Sequence, residues 1–229
     1  MKIALIGYGE MGRLIRRLAE EKGHEVFVVI DDRFAQASAK SLAAKLVSAE
    51  VAIDFTVAGA VKRNVSACVA AGVALVEGTT GWNQDREAIE KIVRDGNGAF
   101  LFGANFSIGV NLFYRIAAFA AELFAKFPDY ETFIEEQHHS RKLDAPSGTA
   151  LKLKEIVAEH IKKDLTIAAT RAGNIPGTHR VGFDGPSDQI LLEHTARSRE
   201  GFASGAITAA EWIVGKKGFF EFTDVIDEM

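Results

Sequence analysis

The feature that most limits what this chain can fold into sits where its first apolar run ends. Residues 2–6 are short, apolar and β-rich, and they stop at Gly7-Tyr8-Gly9-Glu10-Met11-Gly12, a G-x-G-x-x-G in register. Met11, Leu14, Ile15 and Leu18 then recur at helical spacing, with Arg13, Arg16, Arg17, Glu20 and Glu21 on the other face and Gly23 as a stop. A second strand over residues 26–30 ends at Asp31 and Asp32, about twenty residues past the glycines. Strand, glycine turn, amphipathic helix, strand and acid in this order predict a Rossmann-type unit. Gly7 allows the tight turn, Gly9 lets backbone approach a pyrophosphate, and Gly12 lets helix and strand pack closely. The helix start at Glu10 and Met11 then faces the phosphates. Asp31 is the carboxylate expected to bond the adenosine ribose hydroxyls. It repels a 2′-phosphate while Arg33 attracts one, and the balance is read as NADH over NADPH.

The alternation continues. A helix over 35–46 leads to a strand over 51–55 containing Asp54-Phe55-Thr56, and a helix over 60–71 stops at Gly72. A strand over 73–77 runs into Gly78-Thr79-Thr80-Gly81; a helix over 84–94 and a strand over 99–102 lead to Gly103-Ala104-Asn105-Phe106-Ser107. Alternating strands and helices demand a parallel sheet. Open sheets of this kind bind ligands at the carboxyl ends of their strands, which makes Gly78, Thr79, Thr80, Ala104, Asn105 and Phe106 candidate cofactor contacts. A turn alone also explains such loops. The charge-free stretch 96–114 approaches membrane-spanning length, but its asparagines and glycines read as buried strand and loop.

The second half changes character. Residues 112–127 have a helical period ended by Pro128, residues 130–137 read as a strand, and then come His138 and His139. Adjacent on an extended backbone, the two imidazoles point to opposite faces, which argues for two jobs and against a shared metal. No cysteine or carboxylate has convincing zinc spacing with them, so no metal site is expected. One imidazole suits acid–base work near neutral pH, and Lys142 suits proton donation or carboxylate holding. Pro146-Ser147-Gly148-Thr149 leads into a helix over 150–163, whose N–H groups, capped by the Ser147 or Thr149 hydroxyl, suit a carboxylate. Taken singly, each residue has a bland explanation: a core histidine, a solvated lysine, a helix cap. Gathered here, behind a nucleotide signature, they favour function. His179 and His194 are read as structural, and Arg197-Ser198-Arg199 as a solvated edge in preference to a guide for an anionic substrate, while 189–196 reads as a strand. A helix over 203–214 and a strand over 219–222 look like a return to the first domain.

A net charge of -4 with scattered basic residues excludes an electrostatic footprint for nucleic acid. The single cysteine, Cys68, sits among apolar neighbours and fits a reducing compartment. The N-terminal apolar run is too short for a signal peptide, so a cytoplasmic protein with no membrane partner is expected.

The segment Glu136-x-His138-His139-x-x-Lys142-x-Asp144-Ala145-Pro146-Ser147-Gly148-Thr149-Ala150 resembles the 4-hydroxy-tetrahydrodipicolinate reductase (dihydrodipicolinate reductase) family of lysine biosynthesis. Asp54-Phe55-Thr56, Gly78-Thr79-Thr80-Gly81, Ala104-Asn105-Phe106-Ser107 and Phe202-Ala203-x-Gly205-Ala206 extend the resemblance over nearly the whole chain. It implies nicotinamide-dependent reduction of a cyclic imine dicarboxylate, with His138 and Lys142 as acid–base pair, His139, Gly148 and Thr149 binding substrate, and a homotetramer. The expected fold class is α/β: an N-terminal Rossmann-type dinucleotide-binding domain (1–106 with 206–229) and an α+β substrate and oligomerisation domain (107–205). Two departures bear on cofactor choice: the region between Asp32 and Val51 is shorter than in many members, and Asp32 stands where some carry arginine. The competing readings are another Rossmann-fold oxidoreductase acting on an amino acid or sugar, and a non-catalytic nucleotide sensor.

Overall fold

The computed structural model describes residues 1–229 and divides into two compact units, Met1–Ser107 with Glu200–Met229, and Ile108–Arg199. The first contains β1 (Lys2–Ile6), α1 (Glu10–Glu21), β2 (Glu25–Ile30), α2 (Ala39–Leu46), β3 (Val51–Asp54), α3 (Ala58–Ala71), β4 (Ala74–Glu77), α4 (Arg86–Asp95) and β5 (Ala99–Phe102). The second contains α5 (Ile108–Phe124), β6 (Glu131–His138), α6 (Gly148–His160), β7 (Thr166–Arg171), β8 (Thr178–Asp184) and β9 (Gln189–Thr195). Then α7 (Glu200–Ile213), β10 (Gly218–Glu221) and α8 (Phe222–Glu228) complete the first unit.

The first unit is a six-stranded sheet in the order β10-β5-β4-β3-β1-β2, parallel throughout. Strands buried on both faces need side chains apolar on both faces, and β3 and β4 are buried at every position. Ile6, Leu42, Val65, Leu75, Val93 and Phe100 belong to its core. Helix α7 packs on β3, β4 and β5. Its approach depends on Gly205, where an added Cβ would stand 1.8 Å from the Phe106 carbonyl oxygen.

In the second unit the sheet order is β7-β6-β8-β9, with β6 and β7 parallel and the other pairs antiparallel. Phe113, Ala117 and Ala121 of α5 and Leu153 and Val157 of α6 form a core with Ile134, Val181 and Phe183 of the sheet. Strand β6 alternates, burying Thr132, Ile134, Glu136 and His138.

Several expectations shift. The stretch 96–114 is not strand and loop throughout, because α5 starts at Ile108 and buries Val110, Asn111, Phe113, Ala117 and Ala121 on one helical face. Only Ala39–Leu46 of the expected helix 35–46 is α-helical; a single 3-10 turn occupies Asp32–Phe34, and Ser38 caps α2 by accepting from Ser41 N–H at 3.2 Å. Helix α6 ends at His160 rather than 163. Strands β7 and β8 and helix α8 are additional. The second unit ends at Arg199 rather than 205, since α7 is one continuous helix belonging to the sheet it covers.

Candidate active site

In the first unit, the loops after β1, β3 and β4 meet at the carboxyl ends of their strands. Residues 9–11, 55–58 and 78–80 line a cleft of about 480 Å³ there. Gly9, Glu10, Met11, Gly78, Thr79 and Thr80 are thus brought together. The other two glycines of the turn serve the fold itself. Gly7 has φ +91° and a Cβ there would lie 2.3 Å from the Phe55 carbonyl, while a Cβ on Gly12 would lie 2.3 Å from the Gly7 carbonyl. At Gly9 an added Cβ meets nothing within 4 Å, so no protein contact requires glycine.

Asp31 caps the turn that follows β2 and accepts from Arg33 N–H at 3.1 Å and Arg33 Nε at 3.0 Å. That side-chain bond holds the Asp31 carboxyl below its ordinary value. Ala104 is exposed, and Asn105 Oδ1 accepts from Ser107 N–H at 2.9 Å. The Phe106 ring is buried, 4.9 Å from that of Phe222, so only its backbone is suited to meeting a ligand.

In the second unit, alternation on β6 places Glu136 and His138 on one buried face, and His139, half-buried, follows just past the end of the strand. Glu136, 1% exposed, is the hub. Its Oε1 accepts from Arg171 Nη2 at 2.7 Å and from Ser147 N–H at 3.0 Å. Its Oε2 lies 3.5 Å from His138 Nδ1 and 3.6 Å from His179 Nε2. Strand register explains the gathering: His179 on β8 pairs with Glu136, and Arg171 on β7 pairs with His138. Ser147 Oγ accepts from Ala150 N–H at 3.2 Å, making Ser147 the cap of α6, and lies 3.1 Å from His179 Nε2. The Thr149 hydroxyl is hydrogen-bonded to Tyr114, whose own hydroxyl burial pushes up to about 12. Lys142 Nζ donates to both carboxylate oxygens of Asp144 at 2.8 and 2.9 Å. Gly148 is exposed at the first turn of α6, and a Cβ there meets nothing within 4 Å.

The electrostatics follow from the geometry. Burial acts to raise the Glu136 carboxyl, but the bonds from Ser147 and Arg171 outweigh it and hold Glu136 below its ordinary value. Burial lowers His138, and although Glu136 opposes this, Lys142, Arg171 and His139 push the same way as burial. Burial also takes His179 from the ordinary 6.5 to about 4.

In sequence no carboxylate has convincing zinc spacing with the two adjacent histidines, yet in the fold a carboxylate and a second histidine converge on His138. Ligand atoms of Glu136, His138 and His179 lie within 4.8 Å of one another. Arg171 donates to Glu136 Oε1 and the Ser147 hydroxyl lies on His179 Nε2, while Glu136 Oε2 and His138 Nδ1 are buried without a hydrogen-bond partner.

One prediction concerns stability. Between pH 6.5 and about 4 the unfolded chain binds a proton at His179 that the folded chain refuses, so stability falls as pH drops through that window. The loss amounts to about 3 kcal/mol by pH 4. Urea titrations of the wild type and His179→Gln from pH 7 to 4 should show their stability difference narrowing by that order. A difference independent of pH contradicts a neutral His179.

Glu136, Arg171, His179 and Tyr114 were not assigned functions from sequence. Glu136 was within reach of it, two residues before His138 on an alternating strand. Arg171 was not, because its strand was not recognised.

Family models for the N-terminus and the C-terminus of dihydrodipicolinate reductase match residues 1–106 and 109–226. A 4-hydroxy-tetrahydrodipicolinate reductase of Christiangramia forsetii is 36% identical over 241 residues, covering 100% of this chain and 99% of that one. Another, from Methanosarcina barkeri, is 40% identical over 195 residues, covering 78% of this chain and 73% of that one. A solved structure of dipicolinate-bound dihydrodipicolinate reductase from Paenisporosarcina sp. TG-14 matches with a TM-score of 0.80 at 23% identity, over 98% of this chain and 99% of that one, a likeness of fold.

Proposed function

The chain belongs to the dihydrodipicolinate reductase family, and from that premise we propose how its residues divide the reaction. It is an NAD(P)H-dependent oxidoreductase that reduces 4-hydroxy-tetrahydrodipicolinate to tetrahydrodipicolinate in the diaminopimelate route of lysine biosynthesis. The first unit is the dinucleotide-binding domain, and the second is the substrate-binding and oligomerisation domain. The cleft lined by Gly9, Glu10, Met11, Gly78, Thr79 and Thr80 fits a dinucleotide, because Gly9 keeps open the place a side chain would fill. Bound there, the reduced nicotinamide supplies the hydride. Residues 104–106 contribute through backbone and the Asn105 amide.

The observation that carries the second-unit assignment is the buried Glu136 carboxylate beside His138 Nδ1, 3.5 Å away. A carboxylate that close favours the Nδ1–H tautomer through its charge. His138 and Lys142 are the acid–base pair, with Asp144 holding the Lys142 ammonium and Arg171 fixing Glu136. His139 and the Gly148–Thr149 helix start hold the substrate's carboxylates. Tyr114 sets the Thr149 hydroxyl.

The cofactor is NADH in preference to NADPH. Asp31 stands where the ribose hydroxyls bind, and its bond to Arg33 engages a cation that would otherwise suit a 2′-phosphate. Steady-state kinetics with both cofactors should give the higher kcat/KM for NADH, with Arg33→Ala lowering only the NADPH value. A preference for NADPH would mean that Arg33 outweighs Asp31.

The assembly is a homotetramer. Leu112, Ile116, Phe119 and Leu123 form an exposed apolar stripe along α5, and Ile190 and Leu191 are exposed on β9, which supports self-association. The protein acts in the cytoplasm, and no helix is long and apolar enough to cross a membrane.

A further inference from the structure

Beneath the cleft of the first unit lie two carboxyl groups with no place in the reaction described above. Strands β3 and β4 are parallel neighbours, and their register sets Asp54 opposite Glu77 at the carboxyl ends of both. Both side chains are 0% exposed, and they lie within hydrogen-bond reach of each other. Asp54 is the better supplied with donors: Asn64 Nδ2 reaches its Oδ2 at 2.6 Å, and Thr56 bonds to it as well. Arg63 donates to Asn64 Oδ1 at 3.0 and 3.1 Å, which fixes the amide with its N–H groups toward Asp54. Glu77 Oε1 accepts from Thr79 N–H at 2.7 Å. That leaves two buried carboxyl oxygens without a donor, Asp54 Oδ1 and Glu77 Oε2, one on each member of the pair. A single proton between them satisfies both.

We propose that Asp54 and Glu77 share one proton, held mainly by Glu77, and that the pair positions the two loops flooring the cleft for the nicotinamide end of the dinucleotide. The inference rests on the nucleotide placement proposed above. Neither carboxyl lines the cleft; both act through residues that do. Thr79, whose N–H is held by Glu77, accepts from Thr56 N–H on its Oγ1 at 3.0 Å, and Gly78 N–H donates to the Asp54 carbonyl at 2.9 Å. Gly78 also lies under the Phe55 ring, since a Cβ there would come within 2.2 Å of it. The β3 and β4 loops are therefore bonded to each other, and the Glu77 carboxyl holds the β4 loop at the residue that receives the bond from Thr56.

The surroundings leave the proton as the way to hold the pair. Helix α3 presents Asn64 and the buried Cys68 thiol, which burial, then the two carboxyls, push upward. On the flanking strands the register partners are Ile6 and Phe102, and the buried face of α7 consists of alanine, glycine and isoleucine. Burial raises both carboxyls, Glu77 well above its ordinary value, with the Asp54 charge adding to it. A second deprotonation would set two like charges side by side with no solvent.

The test uses the full chain. Infrared difference spectra at neutral pH should show the carbonyl stretch of a buried carboxylic acid, absent in Glu77→Gln. NADH affinity, read by nicotinamide fluorescence, should stay within about twofold of wild type in Glu77→Gln, whose amide donates to Asp54 and still accepts from Thr79. It should weaken about tenfold or more in Glu77→Leu, which leaves the Asp54 oxygen and the Thr79 N–H unpaired. Absence of the acid band in wild type, or a Glu77→Gln variant as weak as Glu77→Leu, overturns the proposal. Should Glu77→Leu fail to fold, the band and the Glu77→Gln affinity decide between the same two outcomes. Undiminished NADH binding in a variant with a bulky residue at Gly9 would instead overturn the nucleotide placement, while the band reports the shared proton independently.

Discussion

Lys142→Ala and His138→Ala should each lower turnover by about 10²- to 10⁴-fold while leaving NADH affinity near the wild-type value. The expectation follows from what holds the two side chains. His138 is buried, carries Glu136 Oε2 at its Nδ1, and is pushed toward the neutral form by burial. An imidazole pushed toward the neutral form suits passing a proton on, and Lys142 supplies a cation on the loop that follows β6. Removing either leaves hydride acceptance without its matching proton. Neither residue belongs to the first unit, which holds the cleft proposed for the nucleotide. Stopped-flow turnover alongside NADH titration separates the two effects. A collapse of nucleotide affinity in either variant would mean that the acid–base assignment is misplaced.

Gly9→Leu should fold and lose the nucleotide. Its φ of -76° is open to any residue, and a Cβ there meets no protein atom within 4 Å. The unfolding temperature should therefore stay within about 5 °C of wild type, the margin set by a poorer residue at the start of α1. NADH affinity should fall about 100-fold or more, roughly 2.7 kcal/mol, because the leucine occupies the space kept for the pyrophosphate. Gly7 and Gly12 behave differently, since a Cβ on either collides with backbone carbonyl oxygen at 2.3 Å. Calorimetry and fluorescence titration on the same sample check both halves. A Gly9→Leu variant that binds NADH normally removes the cleft from the account, and one that fails to fold shows that Gly9 serves the chain rather than a ligand.

Local pattern made much of this legible. Apolar strands ending in glycine-rich loops announced the parallel sheet, and the strand leading into His138 showed in its pattern, although β6 ends there and does not carry His139. What stayed hidden depends on which strands lie side by side. Arg171 sits on β7, whose mostly exposed Thr166–Arg171 run has no apolar alternation to mark it. His179 becomes a neighbour of Glu136 only through the β6–β8 register. The Asp54–Glu77 pair likewise needs β3 beside β4, and in sequence the two acids are merely the ends of separate apolar runs. The start of α5 was misread because Asn105, Gly109 and Asn111 look like loop residues, while Asn105 in fact ends a turn by accepting from Ser107 N–H just ahead of the helix.

The most direct measurement is the loss of reduced-nicotinamide absorbance on adding freshly prepared 4-hydroxy-tetrahydrodipicolinate to the purified chain. Turnover that requires the substrate, runs with NADH, and falls about 10²- to 10⁴-fold in Lys142→Ala is the predicted result. No turnover with either NADH or NADPH would contradict it.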